Sequence, residues 1–252
     1  MYRDHCGGCH GDVGDGCGPA AEFLLTQPRD FRPGTFKFRS TKGGTLPTDG
    51  DIEDVIRRGV PYTAMPAFAD LTTTDVRAVV AHIKTFSTRW RHEESGPQVA
   101  IATEPADAGT PEADAKGRAT YVRAACVTCH GDEGDATGVL ARSLIDDWGH
   151  PSRPADFSLG MYKSGAARVD VVRTIATGLN GTAMASFADV LDPAELWYLA
   201  DYLRSLARPV ATVQHRVALL LEHDYPDEFA RYVGAPTATA AVGLALEGAG
   251  LD

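Results

Sequence analysis

The sequence predicts an all-α protein built from two tandem copies of one small helical domain. Three observations lead to this fold class. The chain repeats itself at an offset of about 120 residues, its apolar residues recur at helical spacing, and no stretch alternates long enough to predict a strand. Glycine and proline together make up 41 of the 252 residues, so short helices joined by much ordered loop are expected.

The repeat extends well beyond any single motif. The offset is 120 in the first block, then 126, then 119, and finally 120 again. The second copy therefore has a six-residue insertion followed by a seven-residue deletion. A repeat of this length indicates a duplicated domain. The aligned blocks, first copy against second, are 6–10 with 126–130, 28–37 with 154–163, 56–70 with 175–189, and 71–83 with 191–203.

Five segments within the two copies are predicted to be helical. The shorter helix of each copy is followed by a glycine, Gly59 or Gly178, the residue type that best tolerates the backbone just past a helix. The last helix of each copy has apolar residues at i, i+3, i+4 and i+7, and Asp192 before Pro193 is a typical helix start. The predicted helices run from Asp51 to Arg58, Thr72 to Phe86, Ala113 to Ala125, Val169 to Thr177 and Pro193 to Leu206.

The repeat divides the chain into four parts. The first copy spans residues 1–95 and the second spans 113–208. Residues 96–112 are rich in Pro, Ala, Gly and Thr and are predicted to be a linker. A C-terminal extension, 209–252, has no repeat partner; it predicts one helix over 213–223 and an Ala/Gly-rich end.

Charge and hydropathy exclude several classes of protein. The 34 acidic and 24 basic residues give a net charge of −10, which argues against nonspecific binding to nucleic acid or to an anionic membrane. No apolar run approaches the roughly 18 residues of a membrane helix. The linker and the extension carry −3 and −4 of the net charge, so neither copy is strongly acidic.

Four of the five cysteines form two matching clusters, CGGCH at residues 6–10 and CVTCH at 126–130. This is the attachment pattern of c-type haem, in which two thiols bond to one porphyrin and the next histidine meets the iron. A zinc ribbon places its cysteine pairs roughly 15–20 residues apart, whereas these pairs are 120 apart. A redox dithiol does not require the following histidine. Two clusters in register therefore favour haem.

Two methionines recur in register as candidates for the second axial ligand. Met65 lies 55 residues after His10, and Met184 lies 54 residues after His130, each in a Thr-Ala-Met loop after the shorter helix. Met161 has no counterpart in the first copy and is not a candidate. A thioether stabilises Fe(II), so His/Met ligation raises the reduction potential.

Each copy resembles a class I cytochrome c domain, and the pair resembles the tandem di-haem class I cytochromes of bacteria. The resemblance implies two covalently attached haem c groups, single-electron transfer without catalytic residues, and a periplasmic or other extracytoplasmic location. It also implies a redox protein donor and acceptor, or other subunits of an oxidoreductase complex, as partners. The residues implied are Cys6, Cys9, His10 and Met65 for the first haem, and Cys126, Cys129, His130 and Met184 for the second.

The chain departs from the family pattern in two places. Met65 is followed by Pro66, as is usual, but Met184 is followed by Ala185, which predicts a softer second loop that exchanges its methionine more easily. The first copy begins only five residues before Cys6, whereas the second has a helix of about a dozen residues there. We therefore expect further residues upstream, including a signal segment.

The remaining candidates are weaker. Cys17 is predicted to be a free or small buried thiol, and the other histidines to be surface or structural residues. The basic stretch is either a solvated loop or a binding site for haem propionates or a partner. The tryptophans are expected in a core or a haem wall. These residues are His5, His82, His92, His150, His215 and His223; Arg29, Arg32, Lys37, Arg39 and Lys42; and Trp90, Trp148 and Trp197.

A haem enzyme is the competing class of function, for example a di-haem peroxidase or a thiosulfate-oxidising cytochrome. Peroxidase chemistry requires one iron with an open or labile sixth position, and both irons here have a methionine candidate. A haem-based sensor is a third class, and this chain shows no attached signalling domain.

Overall fold

In a computed structural model, residues 1–24 and 26–208 are described, and this part of the chain contains helices and loops but no β-strand. The prediction of an all-α chain is confirmed. The α-helices are α1 (Tyr2–His5), α2 (Gly7–His10), α3 (Asp49–Arg58), α4 (Thr73–Thr85), α5 (Pro111–Arg123), α6 (Val127–His130), α7 (Arg168–Thr177) and α8 (Pro193–Ser205). Short 3₁₀ helices cover Ala21–Phe23, Thr88–Arg91 and Phe157–Leu159.

The predicted helices lie within a few residues of the observed ones. Threonine caps explain the two largest differences in helix starts: Thr48 accepts a hydrogen bond from the backbone of Asp51, and Thr110 accepts one from Ala113. These caps start α3 at Asp49 and α5 at Pro111, two residues before each predicted start. Asp192 caps α8 with Pro193 in the first turn, as predicted.

Each copy has its own hydrophobic core, built on the helices that follow its CxxCH motif. In the first copy α3 packs on α4, and in the second α7 packs on α8. The buried apolar faces of the last helices follow the predicted spacing. They consist of Val76, Val79, Val80 and Ile83 on α4, and of Leu196, Leu199, Ala200 and Leu203 on α8.

The two copies differ in how the last helix is covered. In the second copy α5 lies across α8 so closely that a Cβ on Gly117 would lie 2.0 Å from the carbonyl oxygen of Tyr198. In the first copy the four-residue helix α1 contributes Tyr2, whose ring contacts His82 and Phe86. The last helix is thus covered along its length only in the second copy of this chain.

The linker contacts both copies. The amide of Val99 donates to the carbonyl of Ser40 (2.8 Å), the indole of Trp197 donates to the carbonyl of Ala102 (3.0 Å), and the amide of Gly109 donates to Asp201 (2.7 Å). Its chain is therefore held between the two cores rather than free. The helix predicted over 213–223 lies outside the described residues. Within 1–24 and 26–208, no helix combines the length and apolar character that a membrane crossing requires.

Candidate functional site

The CxxCH motif and the methionine loop of the first copy line one cavity. Cys6, Cys9 and His10 lie on one side of it, and Met65 belongs to the same lining. The free space is about 1310 Å³, including the mouth that opens to solvent. Most of its exposed lining is apolar, from residues that include Phe31, Phe36, Ile52, Val55, Ile56 and Phe68.

The His10 imidazole is held in the orientation of a metal ligand. Its Nδ1 lies 3.0 Å from the carbonyl oxygen of Arg29, and because a carbonyl only accepts, Nδ1 carries the proton. The lone pair of Nε2 is therefore left for a metal. The ring stacks on Phe31 with centroids 4.6 Å apart, and burial lowers the pKa of His10, which favours the neutral, ligating form.

The second copy repeats this arrangement. His130 Nδ1 donates to the carbonyl oxygen of Ala155 at 3.0 Å, and its ring stacks on Phe157 at 4.6 Å. Burial lowers the pKa of His130 as well. Burial also raises the pKa of the Cys126 thiol to about 11, so the unattached thiol is protonated at neutral pH.

The two methionine loops have the same backbone hydrogen bonds. In the first, Val60 N donates to the carbonyl oxygen of Met65 (3.0 Å), while the Thr63 hydroxyl donates to Val60 (2.8 Å) and accepts from Met65 N (3.2 Å). In the second, Leu179, Thr182 and Met184 form the same three bonds, also at 3.0, 2.8 and 3.2 Å. Each loop thus presents its methionine from an equivalent backbone.

Each methionine loop is preceded by a glycine, which is required because the backbone of the loop approaches it closely. Gly59 and Gly178 both have φ of +66°, and a Cβ on either would lie 2.6 to 2.7 Å from backbone atoms of the methionine loop. Side chains other than hydrogen are excluded there, because the conformation is strained and the space is already filled. The glycine expected past each helix is therefore also a packing requirement.

The donor set fits a covalently attached haem. Two thiols, an imidazole with a free Nε2 and a thioether share an apolar cavity in the first copy. These groups are the ones that c-type haem with His/Met ligation uses. In the second copy the His130 imidazole and the Met184 backbone amide are held by the equivalent bonds.

The basic stretch of the first copy divides between several tasks. Arg32 pairs with Asp30 at 2.8 Å in its own loop, and Arg39 is buried against backbone of the second copy. Arg29 and Lys37 line the cavity, where burial lowers the pKa of Lys37 to about 8. Only these two of the five basic residues are therefore placed to meet a group in the cavity.

One residue that lines the cavity was not predicted from the sequence. Lys163 of the second copy also lines the cavity of the first. It aligns with Lys37 in the repeat, but alignment alone does not show that the second copy's lysine reaches the first copy's cavity.

The other candidates lie away from the cavity centre. The Cys17 thiol is exposed, and so are the side chains of His82, His92 and His150. His5 is exposed although it borders the cavity mouth, and His215 and His223 are outside the described residues. Met161 is buried in the second copy.

The tryptophans were expected in a core or a haem wall. Trp197 is a core residue, and Trp90 packs partly buried against the first core. Trp148 is in neither core: its ring centroid lies 4.0 Å from the guanidinium carbon of Arg29, and a Cβ on Gly181 of the second methionine loop would meet its ring at 2.5 Å, so its place in a haem wall stays a prediction. Trp148 lies within the six-residue insertion region of the second copy, which has no template in the first.

The helical fold and the paired CxxCH motifs define a c-type cytochrome with two domains. The family model described as cytochrome c oxidase, cbb3-type, subunit III matches residues 1–83 and 112–203, so the chain belongs to this family of c-type cytochrome domains. The predicted fold of tandem cytochrome c domains is confirmed.

A solved structure is similar over most of the chain. It is a chain of the reducing HAO-like protein complex of Kuenenia stuttgartiensis, 38% identical, with a TM-score of 0.78; the match covers 82% of this chain and 94% of that one. None of the curated proteins matches. The family implies covalently bound haem c and, with this neighbour, supports electron transfer.

Proposed function

We propose that the chain binds two haem c groups and passes single electrons between redox proteins outside the cytoplasm, as a subunit of an oxidoreductase complex. The proposed attachment residues are Cys6 and Cys9, and Cys126 and Cys129. The proposed axial pairs are His10 with Met65 and His130 with Met184. The copies act as separate haem domains over 1–95 and 113–208.

One observation carries this proposal. In both copies the histidine Nδ1 bonds to a backbone carbonyl at 3.0 Å, and the methionine amide donates to a threonine hydroxyl at 3.2 Å. The second copy has kept this geometry although the loops around it have gained six residues and lost seven. Retention of the ligand backbone on both sides favours two working haem sites.

The bound haem supplies an iron that gains or loses one electron without making or breaking bonds in a substrate. The protein residues keep the site unchanged during that step. Arg29 and Ala155 hold the imidazoles through Nδ1, the threonines hold the methionine loops, and apolar side chains exclude water. Because these residues keep their positions, the reorganisation energy of electron transfer at the site stays small.

The neighbour's complex supports the proposal about partners. The similar chain comes from a complex that is described as reducing and HAO-like. We propose that this chain delivers or receives electrons through contact with a second subunit. The respiratory placement, in which such a subunit serves an electron-transfer chain of the periplasm, belongs to the same proposal.

Mass spectrometry of the holoprotein tests the haem count with a matched cysteine control. The wild type is expected to carry the mass of two haems, and Cys17→Ala should carry two as well because Cys17 lies outside both motifs. Replacing Cys6 and Cys9 by alanine, or Cys126 and Cys129, should leave one covalent haem. Loss of no haem from either double variant would contradict the assignment.

The peroxidase alternative is tested with the same protein. Both methionine loops are built alike, so each copy offers a methionine as the proposed sixth ligand. We therefore expect no turnover of hydrogen peroxide by the reduced holoprotein. Turnover comparable to that of a haem peroxidase would favour the enzyme class.

A further inference from the structure

The methionine loop of the second copy lacks the proline that stiffens the first, yet the two loops have the same hydrogen-bond lengths. Contacts from another part of the molecule could supply the stiffness that the proline gives to the first loop. The first copy has seven more residues between Lys37 and Ile56 than the second has between Lys163 and Ile175. Part of this longer segment, residues 39–45, lies against the second copy; we call it the clasp.

Arg39 makes the central contact of the clasp. Its side chain is only 4% exposed, and its Nη2 donates to the carbonyl oxygen of Thr177 at 2.6 Å while its Nη1 donates to that of Gly178 at 3.2 Å. These carbonyls end α7 just where Gly178 packs on the backbone of Met184 and Ala185. A charged donor to two helix-end carbonyls is a strong interaction.

Two further contacts hold the loop beyond Gly178. The amide of Gly44 donates to the side-chain oxygen of Asn180 at 2.9 Å, and the Asn180 amide donates to the carbonyl of Thr45 at 3.4 Å. At the far end Lys42 pairs with Asp189 at 3.5 Å. The clasp therefore contacts the methionine loop on both sides of Met184.

The clasp is itself held firmly in the first copy. The buried hydroxyl of Thr41 donates to the carbonyl of Leu46 at 3.0 Å, and Lys42 N donates to Pro97 of the linker at 3.0 Å. The amide of Ser40 donates to Asp51 at 2.8 Å. A segment fixed by these bonds can act as a rigid support for another domain.

The second copy makes different contacts with the first copy near the first methionine loop. At the end of α3, Arg58 reaches outward and donates to the carbonyl of Lys163 at 3.3 Å. The second copy is seven residues shorter in the stretch that contains the clasp, so it has no segment of the same length to reach across. Support from across the interface is therefore unequal, as is the presence of proline in the loops.

We propose that the clasp keeps Met184 in place as a ligand and that Arg39 is its positioning residue, supplying from the first copy the stiffness that Pro66 gives to the first loop. This rests on the proposed ligation of the second haem by Met184. The softness expected from Ala185 should then appear only when the clasp is weakened.

Imidazole binding to the ferric holoprotein tests this proposal in a Met65→His background. There the first haem no longer has a methionine ligand, so the Met-to-Fe(III) absorption band reports the second haem alone. Arg39→Ala should weaken that band and raise imidazole affinity at the second haem by roughly tenfold, the scale of losing a buried charged hydrogen bond. Arg39→Lys, which cannot reach both carbonyls as a fork, should give a smaller increase. Arg32→Ala, which removes an exposed arginine bonded only within its own loop, is the control and should change neither readout.

Restoring the proline separates loop stiffness from simple unfolding. Adding Ala185→Pro to Arg39→Ala should bring back the band and the original imidazole affinity. An unchanged affinity in Arg39→Ala, or a failure of Ala185→Pro to rescue it, would overturn the proposal. If the Met65→His protein shows no such band before any change in the clasp, the Met184 assignment itself fails, and the clasp proposal with it.

Discussion

The two methionine loops reach one geometry by different means. The first is stiffened from within by Pro66, and the second is contacted from outside by Arg39, Gly44 and Lys42 of the other copy. The hydrogen bonds within the loops nevertheless match in length. A duplicated site can therefore keep its shape while the source of its rigidity moves to the neighbouring domain.

Removing the proposed methionine ligands should have the largest effect on this comparison. Met65→Ala and Met184→Ala should each abolish about half of the Met-to-Fe(III) band and lower the potential of one haem, since a thioether favours Fe(II). An optical redox titration measures both changes. Loss of the whole band in a single variant would show that the copies do not bind haem equivalently.

The glycines test whether the two loops are packed equally tightly. Gly59→Ala and Gly178→Ala should each destabilise their copy by at least ~2 kcal/mol, because the Cβ meets loop backbone and φ is +66°. Denaturant unfolding of the two variants measures the cost, with Gly44→Ala, where a Cβ meets nothing within 4 Å, as a control that carries only the positive-φ strain. A cost at Gly59 or Gly178 no greater than at Gly44 would show that the loops can move aside.

The contact between Arg29 and Trp148 tests the interface apart from the clasp. Trp148→Ala should destabilise the protein by ~1 kcal/mol through loss of the cation–π contact. A double-mutant cycle with Arg29→Ala isolates the pair from other losses. A coupling energy near zero would mean that the guanidinium and the indole lie close together without stabilising each other.

Exchanging the residues after the methionines should give the smallest effect. Pro66→Ala should raise imidazole affinity at the first haem ~2- to 5-fold, the range expected for the entropy of one proline. Ala185→Pro alone should lower affinity at the second haem by less, because the clasp already supports that loop. A larger effect at residue 185 than at residue 66 would contradict the comparison.

Local features of the site were predictable from the sequence because they depend on short spacing. The CxxCH motifs, the methionine loops and the last helices follow from periodicity and register. The two helix starts that moved by two residues are those where Thr48 and Thr110 act as caps. The partner of Arg39 was not predictable, since Thr177 lies 138 residues away and offers only a backbone carbonyl. Every residue has a backbone carbonyl, so no sequence motif predicts which one Arg39 contacts.

Trp148 illustrates the same limit. It lies in an insertion, so the repeat offers no template for it, and its position over Arg29 depends on how the copies are arranged. Lys163 was likewise recognisable as the equivalent of Lys37 but not as part of the other copy's cavity. Contacts between repeats are set by docking, which the pattern of either repeat does not contain.

Arg29 connects the candidate haem site of the first copy to the second copy. Its carbonyl oxygen holds the imidazole of His10, and its guanidinium covers Trp148, while the amide of the adjacent Asp147 donates to Gly181 at 3.0 Å in the second methionine loop. Arg29, which orients the His10 imidazole in the first copy, thus contacts Trp148, next to the residue that bonds to the second methionine loop. The two copies are therefore not independent of each other, because removing or exchanging one would leave these groups of the other without their partners.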